Sequence, residues 1–277
     1  MLKLKNLCCG RLRETVCRKK KCVIMNRSKS LRAENREKQA GKEPYVMPGY
    51  IIHLAEATLV CNKLIQHGAG LSDDWINRFL LGNLLPDTKC KREKISSHFW
   101  NPEELDRQAI APDLDRFSAK YGAVRQTPEL LGYHMHLDLD ERYVNQFWHS
   151  ILEFHDRAGN RTVYSREASS VYLKVSGREV PVEEFFSGAY YYGDYTRSNG
   201  YFINKYQIRI PVYEEGLTGV PEEVEPSDLR RVLQELRILV EQSESDIMPD
   251  LKVFSLPELE QFVETMARIE YRKLIEQ

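Results

Sequence analysis

Residues 129–154 read ELLGYHMHLDLDERYVNQFWHSILEF, the longest run in the chain that keeps a helical period. Leu130, Leu131, Leu137, Val144, Phe147 and Ile151 are its apolar members, and their recurrence predicts one helix from about Glu129 to Phe154. On that helix His136 and Asp140 stand four residues apart, so both point to one face, about 40° from each other. His134 and Asp138 have the same spacing, and His134 lies about 200° around the helix from His136. Spacing alone does not choose between the two pairs. His149 and Glu153 form a third pair of this kind. His149 is about half a turn out of phase with Asp140 and is expected to face away from any ion that Asp140 holds.

Working outward toward the amino terminus, Ile51, Leu54, Ala55, Thr58, Leu59, Cys61 and Leu64 mark a helix from Tyr50 to about Gln66. Gly68 and Gly70 follow as its stop. Ser72, Asp73 and Asp74 offer caps for a second helix carrying Trp75, Ile76, Phe79, Leu80 and Leu81, which should end before Pro86. Residues 87–112 read as a long loop, and Leu114, Phe117 and Tyr121 as a shorter helix. On the other side, Val171, Leu173 and Val175 alternate with polar residues ahead of Ser176-Gly177, which predicts a small hairpin within 161–182. Nine aromatic residues then crowd into 185–206: Phe185, Phe186, Tyr190, Tyr191, Tyr192, Tyr195, Tyr201, Phe202 and Tyr206. They are expected to pack an insertion at about 161–210 onto the body, or else to wall a substrate site. Two amphipathic helices are expected near 227–242 and 256–275. The fold class is therefore mainly α: one multi-helix domain over 47–277 with a small β-hairpin insertion.

Charge divides the chain. The net charge of -1 conceals a basic arm over residues 1–46, with 14 Lys and Arg against four Asp and Glu, followed by an acidic body. The arm has too few apolar residues to order itself and is expected to be a disordered extension. Its charge suits peripheral contact with an anionic membrane, or with nucleic acid. Four of the six cysteines (Cys8, Cys9, Cys17, Cys22) fall in the arm, but no second pair follows Cys17 and Cys22 to complete a zinc site. No stretch approaches the ~18 consecutive apolar residues of a membrane-spanning helix. Nor is there an apolar core typical of a signal peptide in residues 1–25. A cytoplasmic protein with reduced thiols is the expectation.

The chain has seven histidines, and their setting points to metal rather than to scattered polar residues. Pro86 breaks a helix just before Asp87, which leaves that carboxylate on a turn. His98 stands in the aromatic context Ser97-His98-Phe99-Trp100. Imidazole nitrogen with carboxylate oxygen and no cysteine suits zinc or a neighbouring divalent ion. Gly82-Asn83-Leu84-Leu85-Pro86-Asp87, then Ser97-His98-Phe99-Trp100, then His136-Leu137-Asp138-Leu139-Asp140, in this order over about residues 47–155, resemble the zinc-dependent phospholipase C family. That resemblance implies a helical fold shared with single-strand-specific zinc nucleases. It also implies one to three zinc ions held by His53, Asp87, His98, His136 and Asp140, and it favours the His136 pair over His134 and Asp138.

Two departures stand in the sequence. Secreted members of the family use the amino terminus of the mature chain as a ligand, whereas His53 lies inside this chain. Only a start at Met47, with Met47 then removed, would leave an amine near it, that of Pro48. The family's further histidine and H-x-x-x-E pair are matched here only by His149 and Glu153. The implied activity is metal-assisted hydrolysis of a phosphodiester, with Asp87 as general base, and the substrate is either phospholipid or nucleic acid. No obligate protein partner is evident. Competing readings are a zinc nuclease of the same fold, an HD-type phosphohydrolase built on His155-Asp156, and a non-catalytic, metal-stabilised helical binding protein.

Overall fold

The computed structural model describes residues 48–89, 93–122, 127–213, 215–242 and 248–276. These fall within one compact unit, Pro44–Gln277. The expectations for the basic arm and its four cysteines lie outside the described residues.

Helix α1 (Tyr50–Gln66) is the axis of the fold. It is buried on nearly every side, with Ile51, Ile52, Leu54, Ala55, Ala57, Val60 and Cys61 in the core. A helix apolar all round must be enclosed by others, and α1 packs against most of the helices that follow. It ends where Gly68 adopts a φ of +87° and its N–H returns to the Ile65 carbonyl. Helix α2 (Asp73–Leu84) starts with the Ser72 hydroxyl accepting the Trp75 N–H, and it gives way at Pro86 to a 3-10 turn, Leu85–Thr88. A single helical turn (Lys94–Ser97) interrupts the long loop before α3 (Leu114–Tyr121).

Helix α4 (Pro128–Arg142) lies against α2 in the most extensive helix pairing of the molecule. Glycines set how close they come. A Cβ on Gly82 would stand 2.2 Å from the Glu129 carbonyl oxygen, and one on Gly132 would stand 2.1 Å from that of Phe79. Backbone therefore meets backbone at this crossing.

The single helix expected over 129–154 is corrected in two ways. After Arg142 it widens into a π-helical segment, Tyr143–Trp148, and the helix ends at Ile151. Leu152 turns extended (φ -153°, ψ 171°) and begins β1 (Leu152–His155). The tail of that stretch satisfies both periods, because Leu152 and Phe154 can also alternate as the buried face of a strand. The hairpin forms as β2 (Ser170–Leu173) and β3 (Arg178–Pro181), and β1 joins it in an antiparallel sheet of order β1-β2-β3. Leu152 faces Leu173 and Val171 faces Val180 in register. Val175 falls in the turn rather than the strand and is exposed. The aromatic stretch becomes α5 (Tyr191–Tyr206), which packs on α1, with Tyr191, Phe202 and Tyr206 buried in the common core. Two amphipathic helices, α6 (Leu229–Gln242) and α7 (Leu256–Ile275), complete the body. None of the helices among the described residues is long and apolar enough to cross a membrane.

Candidate metal centre

Four elements converge on one point. His53 comes from the first turn of α1, where its N–H bonds the Gly49 carbonyl, and Asp87 from the 3-10 turn behind Pro86. His98 follows the turn Lys94–Ser97. His136 and Asp140 come from α4, one turn apart. All five side chains are 0–5 % exposed. The Asp140 carboxylate lies at the centre: Oδ1 is 3.3 Å from His53 Nε2, and Oδ2 is 3.3 Å from His136 Nε2 and 3.6 Å from His98 Nε2. Asp87 Oδ1 is 3.5 Å from His98 Nε2. The rings of His53 and His136 stack at 3.7 Å. Two overlapping triads, His53–Asp87–His136 and His98–His136–Asp140, each bring one donor atom per residue within 4.8 Å of the others.

The surroundings prepare two of these imidazoles as ligands. The Ser97 hydroxyl donates to the Pro86 carbonyl (2.9 Å), so it is left to accept from His98 Nδ1 at 3.0 Å. His136 Nδ1 donates to the Asn83 carbonyl at 2.8 Å, a contact that the close α2–α4 crossing makes reachable. With the proton held on Nδ1, each ring turns the Nε2 lone pair toward the cluster, the usual arrangement behind a metal-binding histidine. The backbone helps as well. Phe99 holds a left-handed φ of 54° and packs edge-on to Phe117, which turns the chain directly after His98. Tyr133 donates to the Ser97 carbonyl (2.5 Å), tying α4 to the same turn.

Charge states suit ligand duty at every group but His136. Burial pushes the His98 imidazolium down to about 4, leaving a neutral ring at pH 7, and burial with the nearby His136 lowers His53 too. Burial acts the other way on the carboxyls but is outweighed. Lys94 and His98 hold Asp87 well below the usual range, and His136 and His53 do the same for Asp140. His136 is raised, burial being overcome by the facing Asp140.

What the cluster lacks is satisfaction from within. His53 Nδ1 and Nε2, His98 Nε2, His136 Nε2 and both Asp140 oxygens are buried with no aligned hydrogen bond, despite their short separations. A buried polar atom left unpaired costs ~1–3 kcal/mol, so six in one place define a site shaped for a cation. The residues present therefore fit a divalent metal.

The other candidates lie elsewhere. His134 faces the Phe117 ring at 5.6 Å, and Asp138 pairs with Arg142 and Lys273 on another side of α4. His149 is exposed, while Glu153 sits on β1 held by Arg161 and Lys174, so the third i, i+4 pair is not on one helix. His155 bonds Glu179, and the Asp156 carboxylate accepts the N–H groups of Ala158 and Asn160 within a turn. That commitment removes His155-Asp156 as a buried ligand pair. A cavity of about 550 Å³ opens beyond Val144 and Trp148, lined also by Gln108, Ala111 and Tyr164, but none of the five cluster residues lines it.

Two contributors carried little sequence signal. Lys94 places Nζ 2.6 Å from Asp87 Oδ1. Gly132 is a lone glycine inside a helical pattern, a sign of close backbone approach that its spacing alone does not aim at any partner. Comparison of the chain with family models, with curated proteins and with solved structures finds no match.

Proposed function

We propose that His53, Asp87, His98, His136 and Asp140 hold one or two divalent ions, zinc by their donor chemistry, and that the protein hydrolyses phosphodiesters. The observation that carries this reading is the convergence of three imidazoles and two ionised carboxylates, with the facing atoms of His53, His98, His136 and Asp140 finding no hydrogen-bond partner. Neutral nitrogen and carboxylate oxygen without thiolate is a donor set suited to zinc. A bound zinc ion supplies Lewis acidity toward a phosphoryl oxygen and lowers the pKa of water. The chain itself contributes the rest. Asp140 and His136 are fixed in mutual geometry by α4, while Asn83 and Ser97 hold their imidazole partners in one tautomer. Asp87 stays ionised and sits at the more exposed edge of the cluster. It is the group placed to take a proton from an attacking water.

One observation favours a second reading. Cluster side chains exposed by no more than 5 % resemble a closed structural site as much as an open catalytic one. In that case the ion would clamp α1, α4 and the Pro86 turn together without turnover. The deciding experiment is elemental analysis of purified protein, followed by assay of bis(p-nitrophenyl) phosphate with and without chelator. The hydrolase reading expects bound zinc together with turnover that chelation abolishes. Bound zinc without turnover, and a melting temperature that drops on chelation, would move the conclusion to the structural ion.

A further inference from the structure

Beside the five buried side chains lies a cation of the protein's own. Lys94 is 21 % exposed and reaches inward to place Nζ 2.6 Å from Asp87 Oδ1, the oxygen that also faces His98. Lys94 and His98 are joined through one helical turn, the His98 N–H bonding the Lys94 carbonyl at 2.8 Å. Both side chains are therefore delivered to Asp87 by the same short segment. Among the described residues, two other cations near this segment are engaged elsewhere: Lys89 with Asp228, and Arg231 with the Thr88 carbonyl and Glu235.

An ammonium and a divalent ion compete for one carboxylate oxygen, because each is drawn to the same negative charge and each repels the other. Lysine is also the cation best able to give way, a point charge on a flexible four-carbon stem. Its partial exposure sets the direction in which it would go, outward from a cluster whose remaining members are sealed. With the five cluster side chains 0–5 % exposed, Lys94 is the more accessible charged group on that side.

We propose that Lys94 is the oxyanion-recruiting residue of this centre: it competes with a divalent ion for Asp87, yields that carboxylate when the ion binds, and then engages a phosphoryl oxygen of the incoming substrate. The substrate part of this inference rests on the hydrolase reading above, whereas the competition for Asp87 does not. Lys94 is thus both the ion-pair partner of Asp87 and a specificity determinant for tetrahedral anions.

The test uses the full chain and two variants, Lys94→Met and Lys94→Arg, with zinc and inorganic phosphate as the probes. Calorimetric titration of zinc into metal-free protein should show about tenfold tighter binding for Lys94→Met than for wild type, since the internal competitor is gone. Titration of phosphate into the zinc-loaded proteins should show about tenfold weaker binding for Lys94→Met, and binding within about threefold of wild type for Lys94→Arg. Zinc affinity that is unchanged or weaker in Lys94→Met would overturn the competition. Phosphate affinity equal in wild type and Lys94→Met would overturn the recruiting role. If both shifts occur but no protein turns over a phosphodiester, the hydrolase reading fails and takes the substrate role of Lys94 with it, while the competition for Asp87 and the anion contact stand. If wild type turns over a phosphodiester but Lys94→Met shows neither shift, the hydrolase reading stands and the Lys94 assignment fails.

Discussion

Asp140 faces three imidazoles with a fully buried carboxylate, and its own helix supplies one of the three. The face of α4 that carries it also decides between pairs that spacing could not separate. His136 and Asp140 point into the cluster, while His134 lies against Phe117 and Asp138 against Lys273. His136→Ala should therefore lose most of its bound zinc, whereas His134→Ala should keep it, as read by elemental analysis after dialysis. Equal loss from both would mean that the face is misassigned. Asp87→Asn tests a different property. The amide keeps the shape and one oxygen but cannot act as a base, so hydrolysis should fall by about 10²–10⁴-fold. Zinc content must be measured on the same sample. Activity that survives at full occupancy would remove Asp87 from the base role and leave it a ligand only.

At the scale of elements, the α2–α4 crossing is what makes the site reachable. Gly82 and Gly132 remove the two side chains that would hold the helices apart, and the Asn83 carbonyl is thereby brought to His136. Gly132→Ala would drive a methyl group into the Phe79 carbonyl, where no flexible side chain can yield. The expected cost is about 1–3 kcal/mol, seen as a lower denaturant midpoint, together with weaker zinc binding because His136 loses its orienting partner. An unchanged midpoint would show that the helices can separate without penalty.

Most of the helices were legible from apolar spacing and from stop signals such as Gly68 and Pro86. The end of the stretch over 129–154 was not, because Ile151, Leu152 and Phe154 suit either period and only pairing with β2 decides for the strand. Alpha-helical α5 was hidden for a related reason. Its aromatic residues read as packing for an insertion or as a substrate wall, not as a helix, while the anchor that locks it is a polar side chain: buried Asp194, which accepts the N–H groups of Lys252, Val253 and Phe254 ahead of α7. Spacing carries no trace of a contact across nearly 60 residues. The five cluster residues were legible only as a set, since motif order named them and the fold alone shows that α1, the Pro86 turn and α4 meet.

The whole molecule has a second buried charge network on the side of α4 away from the cluster. Glu56 and Glu270 meet Asp138 there, with Lys273 and Arg142 as the cations. Burial and the neighbouring Asp138 push the Glu270 carboxyl from 4.5 up to about 7, more than Lys273 can offset. A carboxyl raised on folding stabilises the folded state fully below 4.5, and that contribution is lost as pH rises through about 7. In metal-free protein the Glu270 contribution should accordingly fall by on the order of 2 kcal/mol between pH 5 and pH 8, opposed by the gain from His53 and His98, both lowered on folding, and Glu270→Gln should show the less steep fall or the steeper rise of the two proteins. Denaturant unfolding across this range checks both statements, and a steeper decline in the variant would contradict them.

The central claim is that the converging His and Asp side chains, rather than any cysteine, bind metal. X-ray absorption at the zinc edge, on full-length protein loaded with one equivalent of zinc, reads the donor atoms directly. The expected spectrum has only nitrogen and oxygen neighbours at ~2.0–2.1 Å with the outer-shell scattering of imidazole rings. A sulfur shell at ~2.3 Å, or a spectrum without imidazole, would contradict it.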